Sequence, residues 1–298
     1  MRHLYASLCL SALSMTSCVS APPDAASTTP AAAQARVIVT STGKSKLMPA
    51  NAVSPGFENL NVDLMTVDAL IDPNAAVAPG GASSLGQIPM QAASPQCEVM
   101  GCQWNMSGVL IKAQNRGLMS VVSDTRAAPV WHTTYALVVN GNQILDNVQQ
   151  GSAIRTFAPA YVLAEAAVTK LAQLVGTDPN TLVARGACVG LVWNGRGEGT
   201  GIAPGFAAAT VALGATGGTL PDLYYLNDAL DTVTTTGTNQ DGLFVLVGPD
   251  LSQPGAVAPT TYAVPITVNR ATSAGVFENN IAIVRPGIVT VVPIIPRR

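Results

Sequence analysis

The chain has 298 residues, 11% charged and 48% hydrophobic, with 15 basic and 17 acidic residues, a formal net charge of −2 and 5% aromatics. No Lys/Arg cluster or basic stripe interrupts it, which argues against a nucleic-acid partner, and so low an aromatic content argues against the aromatic-lined cleft of a paired-carboxylate glycosidase. The length suits two modest domains, and 27 Gly and 21 Pro among many Thr, Val and Ala suit a β-rich exported protein.

Arg2 and His3 give a short charged start, and Leu4 to Met15 is apolar or small throughout. That is the order of a secretory signal. The apolar run is shorter than the roughly 20 residues a membrane-spanning helix needs, so residues 1–17 are expected to be removed. Met15-Thr16-Ser17-Cys18 follows. The tetrapeptide resembles the lipobox of bacterial lipoproteins, with Met15 in place of the usual Leu and small residues before the Cys. The resemblance implies that the Cys18 thiol receives a diacylglycerol, that the peptide before it is cut and that the new amine is acylated. Several acyl chains anchor stably where one is marginal. The membrane, reached through Cys18, is then the first expected partner. Ordinary signal peptidase cleavage after Ser20 or Ala21 is the competing reading. Val19, where Asp would retain such a lipoprotein in the inner membrane, implies the outer membrane. Residues 18–35, rich in Pro, Ala, Ser and Thr after Cys18, read as a flexible lipid-anchored tether.

Arg36 to Thr42 reads as a first strand and 43–57 as loop. Leu60 to Asp68 alternates, with Leu60, Val62 and Leu64 opposite Asn61, Asp63 and Met65, and is expected as a strand. Residues 72–96 read as a long loop. Gly108 to Ala113, Leu118 to Ser123 and Thr133 to Val139 are three more expected strands. Asn115-Arg116-Gly117 is the expected hairpin turn between the first two, and Asn140-Gly141 a turn after the third. Residues 160–175 place Leu163, Ala167, Leu171 and Leu174 on one helical face. Thr177-Asp178-Pro179 reads as a cap with Pro at the first position of a second, short helix. The expected architecture is mainly β: a β-rich α+β N-terminal domain, 36–184, joined by this helical segment to an antiparallel β-sandwich, 185–298.

In the second half Ala187 to Trp193, Ala208 to Leu213, Thr260 to Val268, Gly275 to Val284 and Ile288 to Ile294 read as strands. Two β runs flank Asn239-Gln240-Asp241-Gly242, where Gly242 suits a hairpin turn. Turn-punctuated short strands at this spacing point to a sandwich. Gly190 through Leu213, Thr236 through Leu246 with its Asp241-Gly242-Leu243-Phe244, and Arg285-Pro286-Gly287 before Ile288 to Val291 together resemble a carboxypeptidase regulatory-like domain, the transthyretin-like sandwich. The resemblance covers roughly 186–295 and implies a structural or binding module without an active site of its own.

Five cysteines are present. Cys9 leaves with the signal and Cys18 is the acyl acceptor. Cys97 and Cys102 frame a tight loop around Gly101 and are the favoured disulfide pair, which an exported chain permits, leaving Cys188 as a buried thiol. Three buried thiols, or a bridge to Cys188, remain as alternatives. Three Cys without a nearby His fall short of the four ligands of structural zinc, and no cofactor motif occurs. His132 is the one histidine beyond the signal. Asp124 is near it in sequence, but no Gly-x-Ser-x-Gly elbow accompanies them. Asp222, Asp228, Asp231, Asn239 and Asp241 lack EF-hand spacing and read as turn residues. Gly195-Arg196-Gly197-Glu198-Gly199 lacks the Lys-Ser/Thr ending of a phosphate loop. Trp104, Trp131 and Trp193 read as core. Tyr224 and Tyr225, placed in a loop, are candidates for an exposed sugar-stacking surface. The expectation is a non-catalytic envelope lipoprotein with a structural, adhesive or ligand-presenting role toward an envelope protein or polysaccharide. A carbohydrate-binding lipoprotein is the alternative, and an enzyme centred on His132 the third reading.

Overall fold

The computed structural model describes residues 34–44, 57, 59–88, 103–112, 114–151, 153–157, 160–193, 205, 207–269 and 281–294. Cys18, the signal, nearly all of the expected tether, Cys97, Cys102 and Gly195-Arg196-Gly197-Glu198-Gly199 lie outside them. Among the described residues no helix is long and apolar enough to cross a membrane.

The fold is mainly β. The first half runs β1 (Gln34–Lys44), β2 (Leu60–Thr66), α1 (Val67–Ile71), β3 (Ser84–Ile88), β4 (Gln103–Lys112), β5 (Gly117–Asp124), β6 (Trp131–His132), β7 (Thr134–Asn140), α2 (Gly141–Gln150), β8 (Ile154–Phe157), β9 (Ala160–Tyr161), β10 (Leu163–Ala164), α3 (Glu165–Leu174) and α4 (Pro179–Arg185). The second half adds β11 (Ala187–Val192), β12 (Thr210–Leu213), β13 (Asp222–Leu226), β14 (Val233–Thr234), β15 (Leu243–Val247), β16 (Ala263–Asn269), β17 (Ile281–Ile283) and β18 (Val289–Ile294).

One nine-stranded sheet dominates, in the order β14-β13-β15-β11-β18-β7-β5-β2-β3. It is antiparallel except at its centre. There β18 lies parallel to β11, from Ala187 opposite Val289 to Val192 opposite Ile294, and parallel to β7, with Val289, Thr290 and Val291 opposite Thr134, Tyr135 and Ala136. This sheet crosses the boundary expected at 184/185. Strands from both sides share one hydrogen-bonded ladder, so the two halves are not separately cored domains. The reason is legible in the strands themselves. β7, β11, β15 and β18 are buried at every position, as continuous apolar runs are when both faces of a sheet are covered.

The two faces carry two cores. On one, Val189, Leu191, Val245, Val291, Ala136 and Val138 pack with Ile144 of α2, with Ala167, Val168 and Leu171 of α3, with Leu182 of α4 and with Val109 and Ile111 of β4. On the other, Cys188, Val192, Phe244, Leu246, Val292 and Ile294 pack with Val211, Val264, Ile266, Val268 and Ile283. Those last residues belong to a small antiparallel sheet, β12-β16-β17, and in β16 buried and exposed positions alternate as a one-sided strand requires. The expected sandwich is therefore this small sheet over part of the large one. A further sheet, β4-β1-β8 with β9 pairing β1, completes the first half.

Several local expectations change. Asn140-Gly141 does not turn the chain back. Asn140 caps α2 instead: its side chain accepts from Gln143 N–H while the Gln143 side chain accepts from Asn140 N–H, a capping box. The helix expected from residue 160 begins at Glu165. Before it Leu163 and Ala164 pair with His132 and Trp131, and burial of Tyr161, Val162 and Leu163 overrides helical periodicity. Asp178 caps α4 as expected, accepting from Thr181 N–H with Pro179 at the first position. The 72–96 loop contains β3, paired with β2. Asn115-Arg116 joins no hairpin, since β4 pairs with β1 and β5 with β2 and β7. Both residues bond the Asp68 carboxylate instead. The Asn239–Gly242 turn forms, with Gly242 at φ 74 donating its N–H to Asn239 O. Its arms do not pair with each other, because β13 lies between β14 and β15.

Glycine is required at residue 190. Gly190 sits opposite Phe244, and a Cβ there would lie 1.9 Å from the Phe244 ring. Gly190→Ala is expected to destabilise the fold by about 1–3 kcal/mol through overpacking, read as a lowered urea midpoint. Adding Phe244→Leu should recover part of that loss relative to the sum of the single variants. Strict additivity of the two losses would contradict the contact.

Candidate functional site

His132 stands on β6. Its Nδ1 is 3.1 Å from Glu165 Oε1, with side-chain exposures of 17% and 47%. Glu165 opens α3, and its N–H donates to Val130 O. A carboxylate in the first turn of a helix lies at the positive end of the dipole. The pair could orient or exchange a proton, but in the described residues no nucleophile is bonded to the His132 ring, and the Thr134 hydroxyl donates to its backbone carbonyl. Asp124, its neighbour in sequence, is directed elsewhere: it accepts from the N–H groups of Arg126, Val130 and Trp131 and from Arg126 Nη1. Those bonds fold 124–131 into a closed loop. Trp131, at its end, is buried and stacked on Phe57 at 5.1 Å between centroids.

Other buried charges are used the same way. Asp63 accepts from Leu64 N–H, Gly80 N–H and Ser84 Oγ. Arg285, 9% exposed, donates to the carbonyls of Ala69, Leu70, Asp72 and Ala75 and lies over the Tyr262 ring at 5.2 Å. The Tyr135 hydroxyl donates to Val77 O. Burial pushes the Tyr135 phenol up to about 12, with Arg285 opposing and Asp63 adding to the rise. Together these groups strap the 69–84 segment onto the sheet.

The tyrosines separate. Both lie on β13, not in a loop. Tyr225 is 7% exposed, and its hydroxyl accepts from Val211 N–H at 2.7 Å, joining the large sheet to the small one. It is no stacking surface. Tyr224 is half-buried, beside Asp222 on the same face of the strand. Burial raises its pKa, the charge of Asp222 adds to the rise and Arg185 opposes it. Asp222 Oδ2 accepts from Arg185 Nη2 at 2.6 Å, and Arg185 Nε donates to Gly248 O at 2.7 Å. From sequence, Tyr224 and Tyr225 are the candidates and Asp222 reads as a turn residue. Sequence reading missed Arg185, Glu165 and Arg285, whose partners are distant in sequence.

The acidic stretch closes on itself. Asn227 bonds Asp231 and Thr232, Asp228 accepts twice from Gln240, and Asn239 accepts from Leu243 N–H. These are turn bonds, and among the described residues no group of three His, Cys, Asp or Glu could hold a metal ion. Cys188 is a buried free thiol on β11, and burial pushes it up to about 11 against hydrogen bonds from Thr290 and Ile283. Trp193 is 5% exposed. Trp104 lies in β4.

No family model matches the chain, and no curated protein matches it. Among solved structures it is similar to the shaft pilin SpaA of Lactobacillus rhamnosus GG, at 8% identity over 89% of this chain and 98% of that one, with a TM-score of 0.23. It is also similar to the Bacillus anthracis TIE protein, at 7% identity over 89% of this chain and 35% of that one, with a TM-score of 0.21.

Two outcomes test the polar architecture. Cys188 should resist alkylation at pH 8 in the folded chain and react fully in denaturant, read by peptide mass, because the thiolate is the reactive form. Ready labelling of the folded chain would contradict its burial. Burial pushes the Asp124 carboxyl up, but its backbone and Arg126 hydrogen bonds outweigh this and hold it below the ordinary range. Its stabilisation is therefore full above the ordinary carboxylate value and is lost as pH falls through the lowered one. Asp124→Asn should cost about 1–2 kcal/mol at pH 7 and flatten the stability curve below about pH 4. An unchanged acid limb in the denaturation profile would exclude this role.

Proposed function

We propose that the chain is an exported, lipid-anchored protein of the cell envelope with a non-catalytic structural or ligand-presenting role. One observation carries the non-catalytic part: the buried or enclosed charged side chains are directed to the chain's own backbone. Asp63, Asp124 and Arg285 fix loops and strand ends, which is the use of polar groups in a scaffold. His132 bonds a partly exposed carboxylate and holds no nucleophile in place. The lipid anchor is supported by Met15-Thr16-Ser17-Cys18 after an apolar run, and the outer membrane by Val19.

The test is the N-terminal peptide of the chain purified from membranes of a bacterial host. Its mass should correspond to Cys18 carrying diacylglycerol and an acyl amide, and Cys18→Ala should release the protein from the membrane fraction. A mature terminus away from Cys18 would overturn the anchor. His132→Ala should leave melting temperature and membrane attachment unchanged. A hydrolytic activity of the purified chain abolished by that substitution would overturn the non-catalytic reading.

A further inference from the structure

At the β13 edge one ion pair leaves three polar groups open. Arg185 is fixed by its Nε bond to Gly248 O and by its Nη2 bond to Asp222 Oδ2. Among the described residues nothing bonds Arg185 Nη1, Asp222 Oδ1 or the Tyr224 hydroxyl. Side-chain exposures of 53% for Asp222 and 20% for Arg185 leave the pair open to solvent. Asp222 and Tyr224 are two apart on a strand and so share a face.

The strand edge is open at the same place. β14 pairs with β13 only at Tyr225 and Leu226, while β15 occupies the other side from Asp222 to Tyr225. A ligand at Asp222–Tyr224 therefore meets no neighbouring strand among the described residues. The groups are also held in advance. α4, capped by Asp178, delivers Arg185 at its end, and the ladder with β15 fixes Asp222 and Tyr224. Preorganisation of this kind lowers the entropic cost of binding.

We propose that Asp222, Arg185 and Tyr224 form a binding site for a neutral saccharide. One sugar hydroxyl donates to Asp222 Oδ1, and a neighbouring hydroxyl oxygen accepts from Arg185 Nη1. The Tyr224 hydroxyl bonds a third oxygen, and its ring meets the C–H face of the sugar. The charge balance selects against an anion. Asp222 neutralises Arg185, and Asp250, which acts electrostatically on Arg185, adds negative potential. A neutral polyol meets both a donor and an acceptor without an unpaired charge. This site deepens the ligand-presenting reading and does not depend on the lipid.

The experiment uses the full-length chain in detergent, with its N-terminal mass read in the same sample, so that an absent lipid and an absent ligand are separate results. The probes are cellohexaose, chitohexaose and maltohexaose, with binding read by titration calorimetry and by saturation-transfer NMR. At least one should bind. Asp222→Asn and Tyr224→Phe should each weaken it, Asp222→Asn by about tenfold or more, as expected on loss of a charge-assisted hydrogen bond. Asp146→Asn on α2 should not change it, and all three variants should melt with the parent chain. The proposal is overturned if none of the three saccharides binds. It is equally overturned if binding persists unchanged in both site variants, or if inorganic phosphate displaces the sugar.

Discussion

The parallel pairing of β18 with β11 on one side and β7 on the other is the constraint on which the rest depends. β18 is the last described strand, and β7 precedes it by well over a hundred residues. Without β18 the large sheet would fall into two pieces, β14-β13-β15-β11 and β7-β5-β2-β3. Each piece would expose an apolar edge and lose the continuity of both cores. Parallel neighbours need crossover connections, and here the crossovers include the helices α2, α3 and α4. Those helices cover one face, and the small sheet covers the other. Once the sheet is closed through β18, the burial of Cys188, Val189, Val291 and Val292 follows.

The polar chemistry is subordinate to that sheet. Asp63 and Tyr135 sit on its strands and Arg285 just ahead of β18. All three reach out to bind the 69–84 segment at one end of the ladder. Asp124 does the same for 124–131. Charges placed under loops in this way satisfy backbone groups that would otherwise be buried without partners, and each is costly to remove. The Arg185–Asp222 pair is placed differently: it shares the rigidity of its neighbours but keeps open groups on a strand edge that no other described strand covers.

Much of the strand content was legible, because β2, β5, β7, β11 and β18 carry period-two or continuous apolar patterns that few other structures satisfy. Pairing was not. Asn115-Arg116-Gly117 looks like a hairpin turn by composition, yet β4 and β5 go to different sheets: Asn115 closes a local turn on Lys112 and, with Arg116, bonds the distant Asp68. The Asn140-Gly141 pair reads as a turn until Gln143 is recognised as the other half of a capping box. Residues 160–164 have a helical apolar spacing, but the competing pairing with Trp131 and His132 wins. The boundary at 184 followed from composition on either side of a helical segment, and composition is silent about a strand that returns more than a hundred residues later. For the candidate site, Tyr224 could be named from sequence, but Tyr225 could not be told from it until its burial was seen, and Asp222 read as a turn residue. Arg185 joins them only through the fold.

The central claim is that residues on both sides of 184 form one cooperative structure through β18. Differential scanning calorimetry of the full chain measures this most directly. A shared sheet predicts a single transition with calorimetric and van't Hoff enthalpies in agreement, and one that moves as a whole when β18 is perturbed by Val291→Ala. Two resolved transitions, with Val291→Ala shifting only the one that belongs to the second half, would contradict it.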